Sequence, residues 1–279
     1  MLFEDSTVEA VRDPLPSWVV DLFGIVTGLG DPLFFIVLVS LLYWLTDHRT
    51  GIQVIAALVL VFGLTAGLKE LLAIERPPAE LRAIEAEGFG IPSGHASGST
   101  AVYGTLAALY DWGSRRLRYA TVAVLAGLVS LSRLVIGVHY VADVVAGIAL
   151  GLAVVALVVR YRDRSPAPFF AVGAATALVG AWLSGFTYEP GLLLFGGALA
   201  ALGGWYVLRP LPHPPRRVMV ACSVVALPLV VGISFVGISV LDSPAALVAS
   251  TAVAMGLVLA LPLAGEVVAT RLETPESTS

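Results

Sequence analysis

An all-α, polytopic transmembrane bundle of about nine spans is the fold class this sequence predicts. Hydrophobic residues fill 58% of its 279 positions and charged residues only 13%, against about a quarter charged in soluble domains. Apolar stretches long enough to cross ~30 Å of hydrocarbon recur along the chain. The few charged groups at membrane depth gather in three short clusters between Lys69 and Asp143, where charge is costly and usually functional.

The spans are expected at residues 32–46, 52–74, 94–110, 119–136, 138–159, 167–186, 191–208, 218–241 and 244–264. The stretch 15–29 is apolar but broken by Asp21 and glycines, so an interfacial, re-entrant or short spanning segment is expected there. Four regions follow: an external or interfacial segment 1–31, a core 32–160, a C-terminal transmembrane region 161–265 and a polar tail 266–279. Glu4, Asp5 and Glu9 stand where a signal peptide carries basic residues, so cleavage is not expected. Cys222 is the single cysteine, which excludes an internal disulfide and a cysteine metal cluster. A net charge of -4 speaks against nucleic acid as a partner. Gly63-x3-Gly67, Gly94-x3-Gly98 and Gly147-x3-Gly151 suit close helix approach.

Arginines set the expected orientation. Arg49, Arg115, Arg116, Arg118, Arg160, Arg162, Arg164, Arg209, Arg216 and Arg217 fall in alternate loops, while the others hold Arg76 and Arg82 among Glu75, Glu80, Glu85 and Glu87, then Glu189 and Asp242. Lys/Arg bias in short loops puts the arginine side and the C-terminal tail in the cytoplasm. The charged clusters then lie at the external ends of the second to fifth spans.

The first cluster is Lys69-x6-Arg76-Pro77. Continued as one helix, it would project both cations from one side, two turns apart, before Pro77 and Pro78 stop it. Such a pair suits an anion, or headgroup snorkelling. The second, Pro92-Ser93-Gly94-His95, directly precedes an apolar run. Ser93 fits an N-cap, Gly94 leaves N–H groups open, and His95 lies in the first turn of a helix start able to take an anion. Alone it also fits a plain serine cap. The third is Ser132-Arg133-x5-His139-x3-Asp143. A carboxylate four residues after a histidine can hold one ring nitrogen and leave the other basic, or simply tie helices together. Metal binding by His139, Asp143 and His95 is disfavoured by three nearby cations, which invite an anion instead.

Taken together, the clusters resemble the type 2 phosphatidic acid phosphatase superfamily, whose motifs read KxxxxxxRP, PSGH and SRxxxxxHxxxD. Every motif position is filled, in order, within residues 32–159. Leu29-Gly30-Asp31-Pro32, Tyr43-Trp44 and the motif spacing look most like the sphingosine-1-phosphate phosphatase and dolichyl-diphosphatase branch. The resemblance implies hydrolysis of a lipid phosphate or polyprenyl diphosphate without metal or other cofactor. It implies that Lys69, Arg76, Ser93, Gly94 and Arg133 bind phosphate, that His139, oriented by Asp143, is the nucleophile, and that His95 is the acid and then the base. A lipid phosphotransferase using the same intermediate is the alternative within that chemistry. A soluble haloperoxidase of the same motifs is opposed by the spans. A lipid or anion transporter, the alternative of another class, would call for repeat symmetry and broken midplane helices, whereas these charges gather at one face. The expected partners are a lipid phosphate and the surrounding membrane lipids, with the site on the extracytoplasmic face.

Overall fold

The computed structural model describes residues 4–187, 189–208, 212–241 and 243–273. Arg209, Asp242 and the end of the polar tail, invoked above for orientation, lie outside the described residues. Among the described residues the chain is helical with no strand. Eleven α-helices run there in chain order: α1 Asp5–Arg12, α2 Ser17–Val26, α3 Pro32–Leu45, α4 His48–Leu72, α5 Gly94–Leu109, α6 Arg115–Val135, α7 Val141–Arg160, α8 Ala167–Leu183, α9 Glu189–Val207, α10 Arg216–Ser239 and α11 Pro244–Glu273.

A helix forms at each of the nine expected stretches, but not all are spans by length. Among the described residues six helices (α4, α6, α7, α9, α10 and α11) are long and apolar enough to cross a membrane. α2 with its 3-10 extension and α3 reach that standard only together, as one span bent by 44°. The bend sits at Asp31, whose carboxylate caps α3 by accepting from Leu33 N at 2.9 Å, ahead of Pro32. Proline at the first helical position and an aspartate cap together restart a helix. The segment 15–29 is thus the first arm of a bent helix pair, the geometry of a broken span or a re-entrant loop.

α4 is the axis of the bundle, buried over 89% of its apolar window. Glycine lets neighbouring backbones approach it. A Cβ on Gly63 would run into the carbonyl of Gly173, and one on Gly67 would stand 2.7 Å from Thr176 O, so α8 lies directly against α4. α5 and α7 close in the same way, since a Cβ added at Gly147 or Gly151 would stand 2.7 Å from Ser93 O or 2.8 Å from Ser97 O. Such small-residue seams give membrane helices the van der Waals contact that lipid exclusion cannot. Gly94 has room around it, so the expected Gly94-x3-Gly98 seam is carried by Gly98, where an added Cβ would stand 2.6 Å from the Phe62 ring. Outward faces stay apolar, as Val224, Val225 and Phe235 do on α10, because the bilayer solvates them. α11 is tied to the core by Trp44, whose indole N–H donates to Val258 O at 2.8 Å.

Candidate active site

Four helix ends converge at one end of the bundle, the last turns of α4 and α6 and the first turns of α5 and α7. The three clusters meet there. The arginines of the alternate loops lie at the starts of α4, α6 and α10 and after α7, which is the opposite end.

α4 stops sooner than the proline rule suggests. Ala73 takes a left-handed conformation (φ 48, ψ 37) and donates to Lys69 O at 2.9 Å. The residue before a proline avoids the helical region, so Arg76 cannot extend the helix and the chain unwinds ahead of it. Lys69 and Arg76 therefore do not share a helix face, which corrects the expectation above. Lys69 stays in the last turn, while Arg76 rides the following loop. That loop is pinned by Arg82, which donates to Pro77 O (2.6 Å) and Ala86 O (2.9 Å), and by Arg12 of α1, which donates to Leu81 O at 2.6 Å.

The loop places carbonyls as well as cations. Lys69 Nζ is buried and donates to Phe89 O and to Gly90 O, the latter at 3.0 Å. Arg76 Nε donates to Glu87 O and Gly88 O at 3.1 and 3.0 Å. Gly90 is required, because a Cβ there would stand 2.8 Å from Asp143 Oδ2.

α6 ends in a Schellman arrangement. Val138 N donates to Arg133 O (3.2 Å) and Gly137 N to Leu134 O (3.0 Å), with Gly137 at φ 75. This is the helix stop that favours glycine. A Cβ on Gly137 would also strike Leu81 O. The turn fixes two site residues at once. It leaves Arg133 buried in the last turn, its Nη1 donating to Thr27 Oγ1 at 2.6 Å. It also throws His139 into the α6–α7 loop, two residues before Val141, rather than into the helix as the i, i+4 spacing predicts.

His139 and Asp143 still meet. Nδ1 of His139 and Oδ2 of Asp143 are 3.0 Å apart, with both side chains buried. The same Oδ2 accepts from Tyr140 N at 3.0 Å, so Asp143, in the first turn of α7, caps its own helix. Arg76 Nη1 stands 3.0 Å from His139 Nε2. A guanidinium only donates, so Nε2 is the acceptor and Nδ1 carries the proton that Asp143 receives. Burial first, and then the charges of Arg76, Lys69 and Arg133, hold this imidazole well below the usual histidine range. The ring is neutral, with its lone pair on Nε2.

Ser93 occupies the N-cap position of α5, but its hydroxyl makes no cap bond. Its Oγ is buried and without a partner among the described residues. Its backbone N–H donates to Asp143 O at 2.9 Å, locking the start of α5 to α7. Gly94 and His95 follow and line a cavity of about 480 Å³ that also receives Lys69, Arg76, Arg133 and His139. Gly30 lies against His95, with a Cβ there only 3.0 Å from the ring.

All eight residues singled out in the sequence are therefore at this one end. Thr27, Arg82 and the carbonyls of residues 87–90 were not foreseen. Arg82 was legible only as a loop charge, and carbonyl acceptors leave no signal in side-chain identity. A neutral nucleophilic nitrogen beside three cations and a free hydroxyl is an arrangement able to take a phosphate group.

Known proteins show the same pattern. Residues 34–167 match the model of the PAP2 superfamily. The chain is 28% identical over 167 residues to phosphatidylglycerophosphatase B of Bacillus subtilis (strain 168), covering 55% of this chain and 79% of that one. It is 30% identical over 140 residues to sphingosine-1-phosphate phosphatase 1 of Rattus norvegicus, covering 48% of this chain and 32% of that one. The crystal structure of a transmembrane PAP2-type phosphatidylglycerolphosphate phosphatase from Bacillus subtilis superposes with a TM-score of 0.50 at 27% identity, covering 57% of this chain and 84% of that one. Every residue of the three clusters lies within 34–167, so over this stretch, just under half of its length, the chain resembles the PAP2 superfamily.

Proposed function

We propose that this protein is an integral-membrane phosphatase that hydrolyses a lipid phosphate or diphosphate through a phosphohistidine on His139, without metal. The observation that carries the reading is the neutral His139 with Nδ1 bonded to Asp143 (3.0 Å) and Nε2 beside a cation of the phosphate-binding set. In the first step Nε2 forms a bond to phosphorus as the bond from phosphorus to the lipid oxygen breaks. His95 gives that oxygen a proton, and Asp143 stabilises the positive imidazole that results. In the second step His95 takes a proton from water, water oxygen attacks phosphorus, and the N–P bond breaks to release phosphate.

Lys69, Arg76 and Arg133, with the Ser93 hydroxyl and the open N–H groups at Gly94, supply the charge stabilisation that a divalent ion gives other phosphatases. Arg76 has a particular part. Substrate takes its N–H from Nε2, so binding phosphate and freeing the nucleophile are one event. The arginine-rich loops at the opposite end support an active site on the extracytoplasmic face, which makes outer-leaflet headgroups the substrates.

Phosphate release from long-chain lipid monophosphates and diphosphates by purified protein in EDTA tests the activity. Quenching in alkaline detergent with a substrate labelled in its phosphate is expected to leave a base-stable, acid-labile label that His139→Ala lacks. Activity that vanishes on chelation and returns with a divalent ion would refute the metal-free mechanism.

A further inference from the structure

The three last helices, α9 to α11, begin beyond residue 167 and so lie outside the matched superfamily stretch. They are not remote from the site. The cavity that receives Lys69, Arg76 and His139 at one end runs on between α4 and these helices. Its far wall is apolar, built from Leu193 and Gly197 of α9, Val230 of α10, and Ala254, Met255 and Val258 of α11. Thr251 also reaches it, but its hydroxyl donates back to Leu247 O at 3.2 Å. On the near side α4 lines the cavity from Lys69 to Leu58. That separation, at 1.5 Å per residue, is a depth of about 16 Å, or roughly half of the ~30 Å hydrocarbon layer.

We infer that α9–α11 form the binding chamber for the substrate's apolar tail, one leaflet deep, and set which tail lengths the enzyme accepts. The inference rests on the phosphatase reading above. Its occupant is a lipid whose phosphate sits among Lys69, Arg76 and Arg133 and whose chain descends along Phe62 and Leu58 against α9 and α11. Three features select this occupant. The chamber is continuous with a phosphate-binding end, its remaining lining is hydrocarbon apart from the hydroxyls of Thr65, Ser234 and Thr251, and its length matches one leaflet. The volume, about 480 Å³, falls in the ~300–1,000 Å³ range of pockets that enclose a ligand. Trp44, bonded to Val258 O, holds the α11 wall in place.

Gly197 gives the test its handle. It lines the chamber, and a Cβ placed there meets nothing within 4 Å. Leucine at this position projects into the cavity without displacing protein. Each methylene pushed out of an apolar site costs about fourfold in binding, so losing two or three lowers preference for long tails by roughly 15–60-fold. Phosphate release from hexadecyl phosphate and hexyl phosphate, at fixed surface concentration in mixed micelles, reads that preference as a ratio of kcat/KM. Gly197→Leu is expected to lower the long-to-short ratio at least tenfold. Gly203→Leu, on the same helix in open space but outside the chamber, is expected to leave the ratio as in wild type. A ratio unmoved by Gly197→Leu, or moved equally by both variants, overturns the inference.

A second measurement separates it from the phosphatase reading. Hexadecyl phosphate with a diazirine at the tail end, irradiated on wild-type protein, is expected to label α9 and α11 whether or not it is turned over. Labelling confined to α5–α7 refutes the tail chamber even if hydrolysis is confirmed. Labelling of α9 and α11 without phosphate release sustains the chamber and refutes the phosphatase.

Discussion

Replacing Asp143 by asparagine separates two ways in which a carboxylate can serve a histidine. In wild type one oxygen, Oδ2, receives both the His139 Nδ1 proton and the Tyr140 N–H at 3.0 Å each, while Oδ1 is buried and without a partner among the described residues. The amide can present either its oxygen or its NH2 group to those two donors. Presenting NH2 sets it against Tyr140 N–H and forces His139 into the tautomer with hydrogen on Nε2. Leaving a buried donor unmet costs ~1–3 kcal/mol, and here the Tyr140 donor loses its acceptor outright. The oxygen therefore remains at the Oδ2 position, and the NH2 takes the empty side at Oδ1. The tautomer survives, and what is lost is the negative charge that supports the developing imidazolium. Where an asparagine inverts the tautomer, as it does in a serine-protease triad, the loss is ~10⁴-fold. For Asp143→Asn the expected fall in kcat is smaller, about 10²–10³-fold, with KM near wild type and the fold kept at a cost of ~1–3 kcal/mol for the NH2 left unmet at the Oδ1 site. Asp143→Ala leaves both donors unmet, for a destabilisation of ~2–6 kcal/mol and a larger rate loss. Single-turnover phosphoenzyme formation and thermal unfolding in detergent measure both effects. Full activity in the asparagine variant, or a loss equal to that of alanine, would refute this account of Asp143.

The low affinity of folded His139 for protons has a stability consequence. The unfolded chain binds that proton near 6.5 and the folded chain only at lower pH. Stability is thus fully present above 6.5 and falls by up to ~1.4 kcal/mol per pH unit on acidification below it. The unfolding temperature of His139→Gln is accordingly expected to fall less steeply than wild type between pH 6.5 and 5.5, and an equal slope would count against a buried neutral histidine. Arg76→Lys keeps the charge but loses the forked geometry in which Nε holds Glu87 O and Gly88 O while Nη1 reaches Val138 O and His139 Nε2, and a fall of ~10–100-fold in kcat/KM is expected. Gly63→Val sets a side chain against the Gly173 carbonyl, so a loss of ~1–3 kcal/mol is expected in thermal unfolding with little change in the KM of surviving enzyme. For sidedness, Glu85→Cys and Glu189→Cys are expected to react with an impermeant maleimide on intact cells and Arg116→Cys is not; the reverse pattern would turn the site to the cytoplasm.

The parts of the site that sequence made legible are those whose chemistry is costly in a membrane. A lysine, two arginines and a histidine–aspartate pair in hydrocarbon have few structural uses, so their identity and order betrayed the site before any fold was known. Helix ends were harder to read. Pro77 correctly signalled a stop after Lys69, but the left-handed Ala73 that makes it is an alanine, a residue with no preference for that conformation. Gly137 did carry a signal, since glycine past a helix end favours the Schellman stop that ejects His139 from α7. Reading the His139-x3-Asp143 spacing as one helix turn overrode it. The contact survived because Asp143, third in α7, reaches back over its own helix start, so a loop histidine and a helical one fall equally within reach.

The C-terminal third was legible as membrane and illegible as function for one reason. Apolar residues facing lipid and apolar residues facing a substrate's tail obey the same solvent preference, so composition cannot separate them. Val224 and Val225 of α10 face outward and Val230 faces the chamber, yet all three are valines on one apolar helix. Only packing tells them apart, and the packing is set from the charged end of the bundle inward by small residues. Gly63 and Gly67 admit α8 against α4, and Trp44 draws α11 to α3 through the Val258 carbonyl. With α8 drawn tight and α11 tethered to α3 by the Trp44 indole, the space beside Phe62 and Leu58 stays open below the cationic end. Trp44→Phe removes that tether while keeping most of the ring's bulk. If the tether holds the chamber wall, selectivity between long and short tails will loosen in this variant with short-tail turnover still measurable. If tail selectivity is unchanged while stability drops, Trp44 serves the fold alone and the wall is held by the α9–α11 contacts.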